Sequence, residues 1–133
     1  MKTTFKIIDG TLHEYDSNEN LIHRKSSDGY ESWREYDSHE NLIHFKDSDG
    51  YEYWREYDSN GKEIHYKNSD GYESWREYDS HENLIHFKNS NGCEYWYDSN
   101  GTEITKKQFD KLNQSCAGKV VEIDGRKYQL KLV

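Results

Sequence analysis

Residues 35–55 read EYDSHENLIHFKDSDGYEYWR, and this stretch decides the fold because it recurs every 21 residues. Tyr15, Tyr36, Tyr57 and Tyr78 keep that spacing, as do Trp33, Trp54, Trp75 and Trp96. So do Ile22, Ile43, Ile64 and Ile85, and His23, His44, His65 and His86. Residues 28–46 and 70–88 are identical, DGYESWREYDSHENLIHFK. Self-similarity at a fixed short period marks a repeat architecture.

Each repeat holds two runs of strand-forming residues, one like NLIHFK and one like YEYWREY. Turn residues separate them, Ser-Asp-Gly on one side and Asp-Ser-Asn-Gly on the other. Each repeat therefore predicts a β-hairpin. The expected fold class is all-β: an antiparallel meander of 21-residue hairpin repeats, with a short C-terminal helix and a capping hairpin.

The period is odd, whereas side chains alternate between faces along a strand. An even loop alternating with an odd one keeps successive repeats facing the same way. Ser26–Gly29 fits a four-residue loop between Lys25 and Tyr30. YDSNG fits a three-residue loop followed by a left-handed position. Gly61 and Gly101 suit that position, and Glu19, Glu40 and Glu82 occupy it elsewhere under strain.

This register predicts one apolar column: Leu12, Ile22, Trp33, Ile43, Trp54, Ile64, Trp75, Ile85 and Trp96. Phe45, Tyr66 and Phe87 would flank it beside Glu31, Glu52 and Glu73, with Arg24 reaching Glu31. The other face would carry Tyr30, Ser32, Arg34 and Tyr36 beside Leu21, His23 and Lys25. Ser32, Tyr53, Ser74 and Tyr95 alternate small and large. Either a recent duplication of a two-repeat block or interlocking of neighbours accounts for that alternation.

The ends differ from the middle. Residues 1–13 read as an N-terminal cap hairpin, 14–104 as the repeats, and 105–133 as a helix plus a C-terminal hairpin cap, all within one domain. Phe109 and Leu112 fall on one face of the helix. The last hairpin would turn at Asp124-Gly125, with Val121, Ile123, Tyr128, Leu130 and Leu132 on one side.

The chain has 133 residues, a net charge of −8, no proline, 12 Tyr, 4 Trp and 4 Phe. Mean hydropathy is −1.31, so any core must be built from rings. Residues 14–96 carry −11 and the two ends together +3. An acidic body repels nucleic acid and attracts basic partners. No signal-peptide pattern or membrane-spanning run is evident, so the expected location is cytoplasmic with no membrane partner. Cys93 and Cys116 lack metal-like spacing and read as thiols.

Neither a cofactor nor a metal is expected. Histidines on alternate strands stand about 10 Å apart, too far to share an ion. Asp47-Ser48-Asp49-Gly50 has a calcium-loop flavour, but turn chemistry explains it. No catalytic constellation stands out, and repeated residues argue against one unique active site. The expectation is a protein that is not an enzyme.

Tyr36-Asp37, Asn41-Leu42, Asp49-Gly50 and Tyr57-Asp58 carry a pattern that resembles the YD repeats of RHS-type proteins. WREYDSNGKEI is also similar to the MORN-related repeats of YwqK-type proteins. The resemblance covers residues 14–104 and implies hairpin-repeat architecture. It supplies no catalytic motif.

The function expected is binding: an acidic, Tyr-rich sheet face docking on a basic protein. The expected contacts are Tyr30, Tyr51, Tyr53, Tyr72 and Tyr95, with Glu35, Asp37, Glu56 and Asp58. One form would be an inhibitor covering a nucleic-acid groove on its target, by analogy with phage anti-defence (anti-CRISPR-like) proteins. The alternatives are a carbohydrate- or cell-surface-binding module and a self-assembling structural repeat, including a homodimer.

Overall fold

The computed structural model describes residues 2–116, 120–123 and 126–129, with side chains described up to residue 113. Eleven strands form one antiparallel sheet whose spatial order is the chain order. They are β1 (Thr4–Ile8), β2 (Thr11–Tyr15), β3 (Leu21–Lys25), β4 (Glu31–Tyr36), β5 (Leu42–Asp47) and β6 (Glu52–Tyr57). Then come β7 (Glu63–Asn68), β8 (Glu73–Tyr78), β9 (Leu84–Asn89), β10 (Glu94–Tyr97) and β11 (Glu103–Ile104). Helix α1 (Lys106–Cys116) follows, and β12 (Val120–Ile123) pairs with β13 (Arg126–Gln129) as a separate two-stranded sheet. The chain is thus an all-β meander with one short helix. No described helix is long and apolar enough to cross a membrane.

By compactness the chain forms two parts. The first is residues 1–76 with 89–92, and the second is 77–88 with 93–133.

Both loops of each repeat contain three residues. Ser26 N donates to Tyr30 O at 2.8 Å and Gly29 N to Ser26 O at 3.1 Å, leaving Ser27, Asp28 and Gly29 as the loop. Gly29 has φ 96°, a conformation open to glycine at no steric cost. In the other loop Asp16 N donates to Asn20 O at 2.9 Å and Glu19 N to Asp16 O at 3.1 Å. Its left-handed residue is Glu19, Glu40 or Glu82 at φ 64–66°, or Gly61 or Gly101 at 80°. The left-handed glutamates expected from sequence are therefore present.

The four-residue loop is corrected, and with it the register. Two odd loops alone would turn successive repeats over. A β-bulge supplies the missing residue: the pairing shifts between Glu14 and Tyr15, Glu35 and Tyr36, and Glu56 and Tyr57. Between Glu35↔His44 and Tyr36↔Leu42, Ile43 is the extra residue.

Trp33 consequently stands opposite His23 and Lys46, not Ile22 and Ile43. The alternating indole–isoleucine column does not form. Trp33, Trp54 and Trp75 do share a face, because Trp33 pairs with Lys46, Lys46 and His44 alternate to one side, His44 pairs with Trp54, and the same steps lead to Trp75. His23 and Lys25 belong to the tryptophan face, and Phe45 and Tyr66 to the opposite one. Arg24 stands opposite Ser32, while Glu31 stands opposite Lys25. Leu12 keeps the expected tryptophan position, opposite Lys25 as Trp33 is opposite Lys46.

Among the described residues no hydrophobic side chain is fully buried. The buried side chains are polar: Ser32, Ser74 and Asp47. Cohesion comes from backbone ladders and cross-strand side-chain pairs rather than from an oily layer. Ladder bonds also join neighbouring hairpins at their tips. Ser48 N donates to Glu31 O at 2.8 Å, and Glu31 N donates to Ser48 Oγ at 3.0 Å. Ser69 with Glu52 and Ser90 with Glu73 repeat this pair, which explains why serine recurs in that loop.

In the second part, α1 starts with a capping box. Gln108 N donates to Thr105 Oγ1 at 3.2 Å, and Thr105 N donates to Gln108 Oε1 at 2.9 Å. Phe109 is half-buried near the His86 ring, whereas Leu112 is exposed. The Asp124-Gly125 turn and the one-sided apolar set of the last hairpin lie outside the described residues and side chains.

Candidate functional site

The Tyr-Asp pair of each repeat is structural. Asp37 Oδ1 accepts the backbone N–H of His39 at 2.8 Å and of Asn41 at 2.9 Å. Asp16, Asp58, Asp79 and Asp98 do the same in their loops. This is an Asx turn, in which a short carboxylate replaces backbone partners. The Asn41 and His39 amides hold the Asp37 carboxyl below its ordinary range, and the Asn83 amide does so for Asp79. The preceding tyrosine ties the repeat to the one before it. Tyr36 O–H donates to Leu21 O at 2.8 Å, and Tyr57 O–H to Leu42 O at 2.9 Å.

One face carries rows of five residues across five strands. In the first part these are Glu14–His23–Trp33–Lys46–Glu52 and Glu35–His44–Trp54–Lys67–Glu73. Each imidazole stacks on the next indole, His23 on Trp33 at 5.5 Å, His44 on Trp54 at 5.4 Å and His65 on Trp75 at 5.6 Å. Each also sits between two carboxylates. His44 Nε2 is 2.7 Å from Glu52 and its Nδ1 3.3 Å from Glu35. His65 has Glu73 at 2.7 Å and Glu56 at 3.4 Å. An imidazolium donates to both carboxylates at once, a neutral ring to one. The second part holds the same set, with His86 between Glu77 and Glu94 and stacked on Trp96.

The histidines orient the indoles without hiding them. Trp33, Trp54 and Trp75 remain 39%, 38% and 39% exposed. The Glu35 and Glu56 side chains are 69% and 68% exposed. A notch on this face is lined by Glu35, Ile43, His44, Trp54, Arg55, Glu56, Tyr57 and Ile64.

The opposite face is a stack of rings and guanidinium groups. Arg34 lies over Phe45 at 5.0 Å, Phe45 stacks on Tyr53 at 5.1 Å, and Arg55 lies over Tyr53 at 4.8 Å and Tyr66 at 5.6 Å. Tyr30 O–H donates to Asp47 Oδ2 at 3.2 Å, and Asp47 Oδ1 accepts from Asp49 N and Tyr51 N. The Asp47 carboxylate is therefore consumed by the turn. Burial, and then the Asp47 charge, push the Tyr30 phenol up.

The expected contact residues divide between these places. Tyr30, Tyr51, Tyr53 and Tyr72 come together on the ring face, where Tyr51 and Tyr66 hydroxyls lie 3.0 Å apart and Tyr72 is 6.0 Å from Tyr66. Tyr95, in the second part, stacks against Phe87 and is exposed. Glu35 and Glu56 lie on the tryptophan face, against His44 and His65. Asp37 and Asp58 are occupied by their turns. Tyrosines and glutamates thus do not form one surface. Sequence reasoning passed over the exposed tryptophans as core, and the signal available was the paired 21-residue spacing of His and Trp with two glutamates per repeat.

No protein-family model and no curated protein sequence matches the chain. Among solved structures it is similar to one titled "Crystal Structure of TcdB2-TccC3-TEV", with a TM-score of 0.55 and 19% sequence identity. The match covers 73% of this chain and 5% of that one, so this chain spans about a twentieth of its length. The likeness is one of fold, and it agrees with YD-type repeats.

Proposed function

We propose that this chain is a non-catalytic binding protein whose acidic, tryptophan-bearing face docks on a basic protein partner. The observation that carries this reading is the recurrence of three indoles, each more than a third exposed, beside exposed glutamates on one face. Tryptophan is the most favoured anchor of protein interfaces. Carboxylates around it steer a cationic partner and reject nucleic acid. One concrete form is an inhibitor that masks a nucleic-acid groove of its target.

The test compares the wild type with a W33A/W54A/W75A variant as bait for basic proteins, at low and high salt. Capture that weakens with salt and needs the indoles supports the reading. Salt-independent capture that survives loss of the indoles sinks it. A second reading, self-assembly, is favoured by the edge strand β1, where Phe5, Ile7 and Ile8 are exposed. Concentration-dependent sedimentation without any ligand would favour that reading.

A further inference from the structure

The notch beside Trp54 has a definite chemistry. Ile43 enters it only because the bulge adds a residue to β5, and Ile64 occupies the equivalent position in β7. Together with the indole they make an apolar floor. Glu35 and Glu56, both largely exposed, also line the notch. Glu35 presents Oε2 to His44 and Glu56 presents Oε1 to His65, so each carboxylate uses one oxygen inward. Arg55 also borders the notch, but its guanidinium lies over Tyr53 and Tyr66 on the opposite face. The register sets Lys67 beside Trp54. Two exposed carboxylates therefore border the notch against one ammonium, and Lys67 itself stands opposite Glu73.

We propose that this notch accepts an arginine side chain presented by an extended segment of the partner. The inference rests on the binding function proposed above and narrows it. The aliphatic stem of arginine fits the isoleucine floor. Its planar guanidinium stacks on the indole and reaches both glutamates, a combination a lysine ammonium cannot match. The tryptophan face supplies what this side chain asks for: an apolar trough, a π surface and two hydrogen-bond acceptors.

The test uses the full chain and three short Gly/Ser peptides that differ at one position: arginine, lysine or the neutral isostere citrulline. Binding is followed by NMR at the Trp54 indole N–H and the Ile43 and Ile64 methyl groups. The arginine peptide should shift these signals most and the citrulline peptide least. E35Q/E56Q should weaken the arginine peptide at least about ten-fold, the loss of one charge-assisted hydrogen bond, with the folded sheet retained by circular dichroism. Equal binding of arginine and citrulline peptides, undiminished binding to E35Q/E56Q, or shifts confined to the tyrosine face would each overturn the proposal. Cytochrome c, a folded basic protein, serves as a parallel probe. If it binds in a salt-sensitive manner that E35Q/E56Q leaves intact, the notch is wrong and the acidic-face reading stands. If neither cytochrome c nor the arginine peptide binds at low salt, both fall.

Discussion

Ser32 and Ser74 sit at equivalent positions of two identical nineteen-residue stretches, yet their surroundings differ. Both side chains are buried, at 1% and 0% exposure. Ser32 Oγ accepts a hydrogen bond from Arg34 Nη1 at 3.2 Å. The equivalent Arg76 instead pairs with Glu63, and Ser74 Oγ has no hydrogen-bond partner among the described residues. The cause lies one strand away. Glu63 begins β7, where the repeat before Arg34 has Leu21. Replacing Ser32 by alanine removes a hydrogen bond to a charged group, worth roughly 1.5–3 kcal/mol. Replacing Ser74 by alanine removes a buried, unsatisfied hydroxyl, which should be neutral or stabilise by about 1 kcal/mol. Local sequence is the same around both, so strand propensity cancels between them. Urea unfolding of S32A and S74A, followed by circular dichroism, should therefore put the S32A midpoint below wild type and the S74A midpoint at or above it. In an E63L background Arg76 is released toward Ser74, and S74A should then become as costly as S32A. Equal destabilisation by the two single variants would refute the reasoning.

Other outcomes follow from the same geometry. Glu40 holds φ 65° where the equivalent residue of the next repeat is Gly61; E40G should raise stability by roughly 0.5–1 kcal/mol, measured as a higher urea midpoint. Y57F removes the O–H that reaches Leu42 O and should cost about 1 kcal/mol by the same assay, with the hairpin otherwise intact. The Asp16, Asp37 and Asp79 carboxyls are depressed in the folded chain, chiefly by the amides of Asn20, Asn41 and Asn83. Their contribution is therefore complete above the unfolded value of about 4 and is lost as pH falls through the lower folded values. Melting temperature should accordingly fall on acidification below that point, and an Asp37→Asn variant should show a shallower fall.

Much of the architecture was legible from the repeat alone. Fixed spacing of Tyr, Trp and turn residues predicts hairpins, and the left-handed glutamates follow from aligning Glu40 with Gly61. The register was not legible, because it depends on a bulge. Nothing in Glu35-Tyr36 or Leu42-Ile43 announces that Ile43 lacks a partner, and a four-residue Ser26–Gly29 loop satisfies the same odd period. Closing that loop at Ser26 and Tyr30, one residue in from Lys25, exchanged Ile22 for His23 opposite Trp33, and the bulge changed the partner on its other side. The candidate surface shifted with it, from tyrosines beside glutamates to tryptophans beside glutamates. The difference between Arg34 and Arg76 was hidden for another reason: it arises between strands, not within the identical stretch.

The bulge has an evolutionary corollary. Because the extra residue recurs in the β2–β3, β4–β5 and β6–β7 pairings, each of those segments restores its own orientation and behaves as a complete tile. A gene-level duplication in steps of one tile lengthens the molecule without inverting anything downstream. Recombination in steps of two would also preserve the bulky-next-to-small order of Tyr53 and its serine neighbours.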